Sequence, residues 1–211
     1  MLDVFIQFAL GFIIALTGAL IPGPLLTFVI SHTLTYGKIW SGLLAGLGHC
    51  IVEAFIITSL ILGLTTLFNF SLFQLVVNII GGIALIVFGI LNILTSRRWQ
   101  IRNSEPKMYA NSLVGGIFFT IFNATIPLWW ATTGFFMLNR ALMTTTMLGV
   151  AFWILGHWSA DLAWFGFVGY SISKGRNYIG ERVHSLIILL CGTILISLGI
   201  FFLASSSINL R

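Results

Sequence analysis

Leu47-Gly48-His49-Cys50-Ile51-Val52-Glu53 and Leu155-Gly156-His157-Trp158-Ser159-Ala160-Asp161 share the pattern Leu-Gly-His-x-x-x-acid at an offset of 108 residues. Each lies inside a long apolar run, where a repeated acid beside a repeated histidine is conspicuous. Two further matches lie on either side. Gly82-Ile-Ala-Leu-Ile-Val-Phe-Gly89 recurs as Gly192-Thr-Ile-Leu-Ile-Ser-Leu-Gly199, offset by 110, and Pro22 has a counterpart in Pro127, offset by 105. The matches come in the same chain order with a small drift, which predicts two related units with short insertions between them.

The composition says where these units reside. Of the 211 residues 58% are hydrophobic and 7% charged, against about 25% charged in an ordinary soluble domain. A chain so poor in charge cannot cover a water-facing surface. A bilayer core about 30 Å thick needs about 20 residues at helical rise, so the apolar runs read as spanning helices. They are expected near 4–35, 39–64, 70–95, 110–139, 143–171 and 183–205. This makes an all-α membrane protein of six transmembrane helices, and residues 1–211 form a single membrane domain. Pro22-Gly23-Pro24 interrupts the first run and predicts a break or sharp kink there. Asp3, with no Lys or Arg before the first apolar run, predicts that this run is retained rather than removed as a signal peptide.

Eight of the ten basic residues fall in connections on one side: Lys38, Arg97, Arg98, Arg102, Lys107, Lys174, Arg176 and Arg182. Arg140 and Arg211 fall on the other. The positive-inside rule makes the first side cytoplasmic and puts both termini outside. The net charge of +5 is thereby explained by topology and anionic lipid, and nucleic acid is not an expected partner. Residues 1–95 form one three-helix unit, 96–109 a basic cytoplasmic loop and 110–211 the second unit. Because each unit has an odd number of spans, the second enters the membrane from the opposite side. Such inverted repeats underlie many secondary transporters.

Glu53 and Asp161 are the acids placed deep in spans, where each costs about 2.5–3.5 kcal/mol at a helix centre. The histidine four residues earlier shares a helix face with the acid. The repetition of the pair in both halves favours a central site in which His49, Glu53, His157 and Asp161 bind a cation or exchange protons. The plainer alternative is that each histidine neutralises its own helix-neighbour acid. A broken helix also exposes backbone donors at the positive end of its second half. Pro22, Gly23 and Pro24 are therefore the candidate carboxylate site, with Asn123, Pro127 and Trp130 as further substrate-binding candidates. Thr125 and Trp129 lie beside them. Gly42, Gly46, Gly48, Gly81 and Gly82 are expected to let helices approach closely, while Cys50 and Cys191 are expected to pack as small hydrophobes. His32 and His184 have no symmetric counterpart and carry no expected role.

The first helix ending in Pro22-Gly23-Pro24, then Ser31, Gly37 and Gly42, the Gly82 to Gly89 run and the six-span length together resemble the LysE/RhtB amino-acid exporter family. The resemblance implies export of lysine, arginine, homoserine, threonine and related small amino acids, driven by a proton or other gradient. The family's fourth helix usually carries Asn-Pro-Lys; here Asn123 is followed by Ala124 and Thr125. The two His-x-x-x-acid pairs are instead similar to metal-exporting branches of the wider LysE superfamily.

Proton-coupled export of an amino acid or similar zwitterion across the cell membrane is thus the expected function, with a divalent-metal exporter using His49, Glu53, His157 and Asp161 as the alternative. No cofactor is expected. The His-x-x-x-acid spacing is not a metalloprotease signature, and there is no cysteine pair to carry electrons, so no enzyme is expected. The expected partners are a small-molecule substrate and the lipid bilayer, with a homodimer left open.

Overall fold

The computed structural model describes residues 2–20, 23–63, 71–96, 111–123 and 125–208, and every element among them is helical. Most of the basic 96–109 loop, Pro22 and Arg211 lie outside the described residues. In chain order the helices are α1 (Leu2–Ala19), α2 (Pro24–Tyr36), α3 (Ser41–Ile61), α4 (Ser71–Ser96), α5 (Ser112–Ile121), α6 (Thr125–Trp129), α7 (Phe135–Gly175) and α8 (Glu181–Ile208). A π-helical turn, Trp130–Gly134, joins α6 to α7, and a 3-10 turn, Arg176–Tyr178, follows α7. Leu2–Ala19, Ser41–Ile61, Thr125–Tyr178 and Glu181–Ala204 are long and apolar enough to cross a bilayer, with shorter apolar helices at Asn78–Leu94 and Ser112–Ile121.

The first expected span is broken where its prolines predict. α1 ends at Ala19, and α2 restarts from Gly23 in an extended conformation with Pro24 in its first turn, where a missing N–H costs no helical bond. At its other end Gly37 takes a left-handed conformation, φ 66°, and caps the helix by donating its N–H to Thr33 O at 2.8 Å. α2 is buried along nearly its whole length, packed among α3, α5, α7 and α8.

The fourth span departs from the expectation in two ways. Its break precedes Pro127, at Phe122 and Asn123, and Asn123 restarts the helix by accepting from Thr125 N at 3.2 Å and Thr125 Oγ1 at 2.8 Å. Asparagine is a strong N-cap, and Pro127 then falls in the first turn of α6, where proline is tolerated. The division from the fifth span is not a connection at 140–142 but a kink inside α7 at Thr146, with φ 66° and ψ −168°. That backbone region is almost exclusive to glycine.

Close helix contacts are made by glycines. A Cβ on Gly11 would strike Trp153 O, and one on Gly116 would strike Ala45 O. Gly156 sits against Phe8 O and Phe12 N, and Gly48 against Leu113 O and Ile117 N. Between α4 and α8, Gly82 lies against Gly199 and Gly89 against Gly192. Each pair of contacts is related by the offsets read from the sequence, 105 for α1 and α5, 108 for α3 and α7, and 110 for α4 and α8. α1 lies on α7 as α5 lies on α3. The glycines remove the side chains that would otherwise hold these backbones apart. Cys50 and Cys191 are both buried and free.

Two apolar clusters leave a gap between them. Ala45 and Phe165 belong to one, which also holds Leu25, Phe28 and Phe119. Val52 and Trp153 belong to the other, with Trp130, Leu138 and Val150. On α3 the intervening positions are His49 and its neighbours, and on α7 they are His157 and Asp161. The fold therefore brackets the two repeated pairs with packed hydrocarbon.

Candidate functional site

The four repeated side chains meet. His49 Nε2 lies 3.3 Å from Glu53 Oε1 on its own helix and 3.9 Å from Asp161 Oδ2 across the interface. His157 Nε2 lies 3.3 Å from Asp161 Oδ2 on its own helix and 3.4 Å from Glu53 Oε1 across it. Each imidazole thus touches both carboxylates, and the pairs do not stay within their own helices. All four are nearly excluded from solvent, at 2–5% exposure. Burial of this kind is tolerated when charges are paired and hydrogen-bonded, because an unpartnered ion in a low-dielectric interior costs several kcal/mol.

The surrounding contacts are unequal. Trp130, fully buried, donates its indole Nε1–H to Glu53 Oε1 at 2.8 Å. The π-helical turn places this ring, and Gly134 leaves it room, since a Cβ there would collide with the Trp130 side chain. Such turns recur at functional sites because they re-aim one side chain without ending the helix. His49 Nδ1 lies 3.0 Å from Thr120 Oγ1, which itself bonds Gly116 O at 2.7 Å. His157 is held by ring contacts instead, stacked on Trp153 at 5.3 Å between centroids and flanked by Trp129 and Trp130 at 5.2 and 5.0 Å.

A cavity of about 260 Å³ opens on this cluster. His49, Glu53, His157 and Asp161 line one part of it; Gly23, Leu25 and Leu26 at the start of α2 line another, with Asn123, Thr125 and Trp129 beyond. The first intrahelical bond of α2 runs from Thr27 N to Gly23 O, so the earlier N–H groups of Leu25 and Leu26 lie in the stretch where a helix has no internal acceptors. A helix start with this many free donors carries a partial positive charge. One cavity therefore joins the His/carboxylate cluster to the N-terminal end of α2.

Of the expected substrate-binding residues, Gly23 and Asn123 line the cavity, although the Asn123 side-chain oxygen is occupied in capping α6. Pro24 is buried in the first turn of α2, and Pro127 is half-buried in α6. Neither lines the cavity, and Pro22 lies outside the described residues. Trp130 reaches the centre through Glu53 rather than through the cavity wall. Thr120 and Trp153 were not singled out by sequence, and no local signal marks either. His184, near a span end, is fully buried and lies with Nε2 3.1 Å from Leu34 O, fastening α8 to the end of α2.

The family model described as LysE type translocator matches residues 16–206. Comparisons with curated proteins and with solved structures find no match.

Proposed function

The chain belongs to the LysE type translocator family, and on that premise we propose that it is a secondary transporter exporting amino acids or similar small zwitterions, coupled to a proton gradient. As a member of that family it is a membrane exporter of small molecules and not an enzyme. The observation that carries the finer reading is the shared cavity. A substrate ammonium group finds Glu53 and Asp161 there, and a substrate carboxylate finds the N–H groups at the start of α2. When the substrate leaves, protons on the carboxylates or imidazoles replace its positive charge.

The glycine contacts support two inverted three-helix repeats, 1–95 and 110–211, and the distribution of basic residues favours both termini outside with the basic loop in the cytoplasm. On this reading α3 and the 147–175 arm of α7 are equivalent helices crossing at the centre. Alternating access exchanges the conformations of the two halves around them.

A second reading rests on a specific observation: ligand atoms of His49, Glu53 and Asp161 all lie within 4.8 Å of one another. Imidazole and carboxylate together suit several divalent transition metals, which would then be the cargo. Efflux from proteoliposomes separates the readings. A panel of amino acids and divalent metals is tested with and without a pH gradient, using the wild type, Glu53→Gln and Asp161→Asn. Gradient-dependent amino-acid efflux abolished by both substitutions is the expected result. Metal flux without amino-acid flux establishes the second reading, and flux of neither class overturns both.

A further inference from the structure

We propose that Thr120 is a positioning residue: it fixes His49 with hydrogen on Nδ1, so that His49 Nε2 presents the lone pair of the centre to a cation. The inference rests on the reading of the cluster as the transport centre and adds a division of labour between its two imidazoles.

A threonine hydroxyl has one hydrogen, and the shorter of the two Thr120 contacts is the one to Gly116 O, at 2.7 Å against 3.0 Å to His49 Nδ1. With the hydrogen on the shorter contact, the Thr120 oxygen accepts from His49 and Nδ1 is the donor. Thr120 is 1% exposed and His49 5%, and the Thr120 hydroxyl is the partner that His49 Nδ1 meets. A neutral imidazole with hydrogen on Nδ1 carries its lone pair on Nε2. That atom faces Glu53 Oε1 at 3.3 Å and Asp161 Oδ2 at 3.9 Å. Three acceptors turned toward one another favour a positive charge between them, whether a proton, an ammonium group or a metal ion.

His157 is built differently. Its Nδ1 has no hydrogen-bond partner among the described residues, and its ring is held by tryptophan faces. It can carry hydrogen on Nε2 and donate to either acid. The position related to Thr120 by the offset of 105 is Ala15, which has no hydroxyl. The lock is thus present in one half only, although the histidines and acids are duplicated. Partners of this kind, one shell behind the atoms that meet the cargo, fix ring orientation and tautomer.

The test is nitrogen-15 NMR of the histidine side chains in the full-length protein in micelles, paired with proteoliposome transport, for wild type, Thr120→Val and Thr120→Ser. His49 is assigned from the signal missing in His49→Asn. The expected result is a protonated Nδ1 in wild type and Thr120→Ser. In Thr120→Val the hydrogen moves to Nε2, and transport falls by about 10–100-fold. A wild-type His49 with hydrogen on Nε2 alone, or an unchanged tautomer in Thr120→Val, overturns the lock. Normal transport in Thr120→Val while Glu53→Gln is inactive overturns the positioning role alone. Normal transport in Glu53→Gln as well removes the transport-centre reading beneath it.

Discussion

Replacing Gly11 or Gly116 by alanine tests the packing that brings the four side chains together. A Cβ at Gly11 lands on Trp153 O and within 3.1 Å of His157 N, and one at Gly116 lands on Ala45 O and within 2.8 Å of the Ala45 backbone carbon atoms. These obstacles are main chain, so no rotamer change can relieve them and the helices must separate. Overpacking of this kind costs about 1–3 kcal/mol. The intrinsic helical gain of about 1 kcal/mol for alanine over glycine is common to any helical site. Gly18, which has nothing within 4 Å of an added Cβ, supplies the reference. Relative to Gly18→Ala, both variants are expected to be less stable by the full overpacking cost. For a chain of this size that lowers Tm by about 2–12 °C, read by thermal unfolding in detergent. Because the displaced backbones carry His157 and adjoin His49, transport falls with stability. Gly11→Ala as stable as Gly18→Ala would refute the packing of α1 on α7, and a cost at Gly116 with none at Gly11 would refute the equivalence of the two contacts.

Glu53→Gln and Asp161→Asn are expected to abolish efflux while leaving the protein inserted and monodisperse; wild-type flux in both would remove the coupling role. Trp130→Phe deletes the donor to Glu53 and should destabilise the protein by about 0.6–1.7 kcal/mol, from the average to the largest value for hydrogen bonds between membrane helices; unchanged unfolding in a denaturing-detergent titration would count against that bond. Thr146→Gly exchanges backbone strain of about 1–3 kcal/mol for the extra freedom of glycine, about 0.5–1 kcal/mol, so Tm should rise, and a fall would contradict the φ of 66° at this residue.

Much of the helical framework was legible in the sequence because its causes are local. Apolar runs must be about a bilayer long, and Pro24 forbids a continuous helix through residues 20–23. The meeting of His49, Glu53, His157 and Asp161 was legible for another reason: two buried acids need partners, and the repeat places each beside a histidine on one face. What escaped depends on distant contacts or on irregular backbone. Thr120 meets a histidine 71 positions away, and a threonine near a helix end gives no sign of that. The kink at Thr146 carries neither glycine nor proline, so no residue marks it. The π-helical turn at Trp130–Gly134 likewise preserves helical periodicity on both sides, leaving the hydrophobic pattern intact. Pro127 was matched to Pro22 by the repeat, yet the capping oxygen of Asn123 begins the new helix there and the proline only tolerates it.

The ring of two imidazoles and two carboxylates has a consequence for stoichiometry. With both rings neutral and both acids ionised, the centre carries two negative charges in a setting where an uncompensated ion costs several kcal/mol. Electroneutrality then demands two positive equivalents whenever the centre is sealed from water. Two protons meet that demand, as does one ammonium group with one proton, or a single divalent ion. A zwitterion whose carboxylate rests at the start of α2 brings its positive end as one equivalent and leaves room for one proton. On the proposed function, cargo and protons are thus alternative occupants of a fixed charge quota, and the helices can cross between states only when that quota is full.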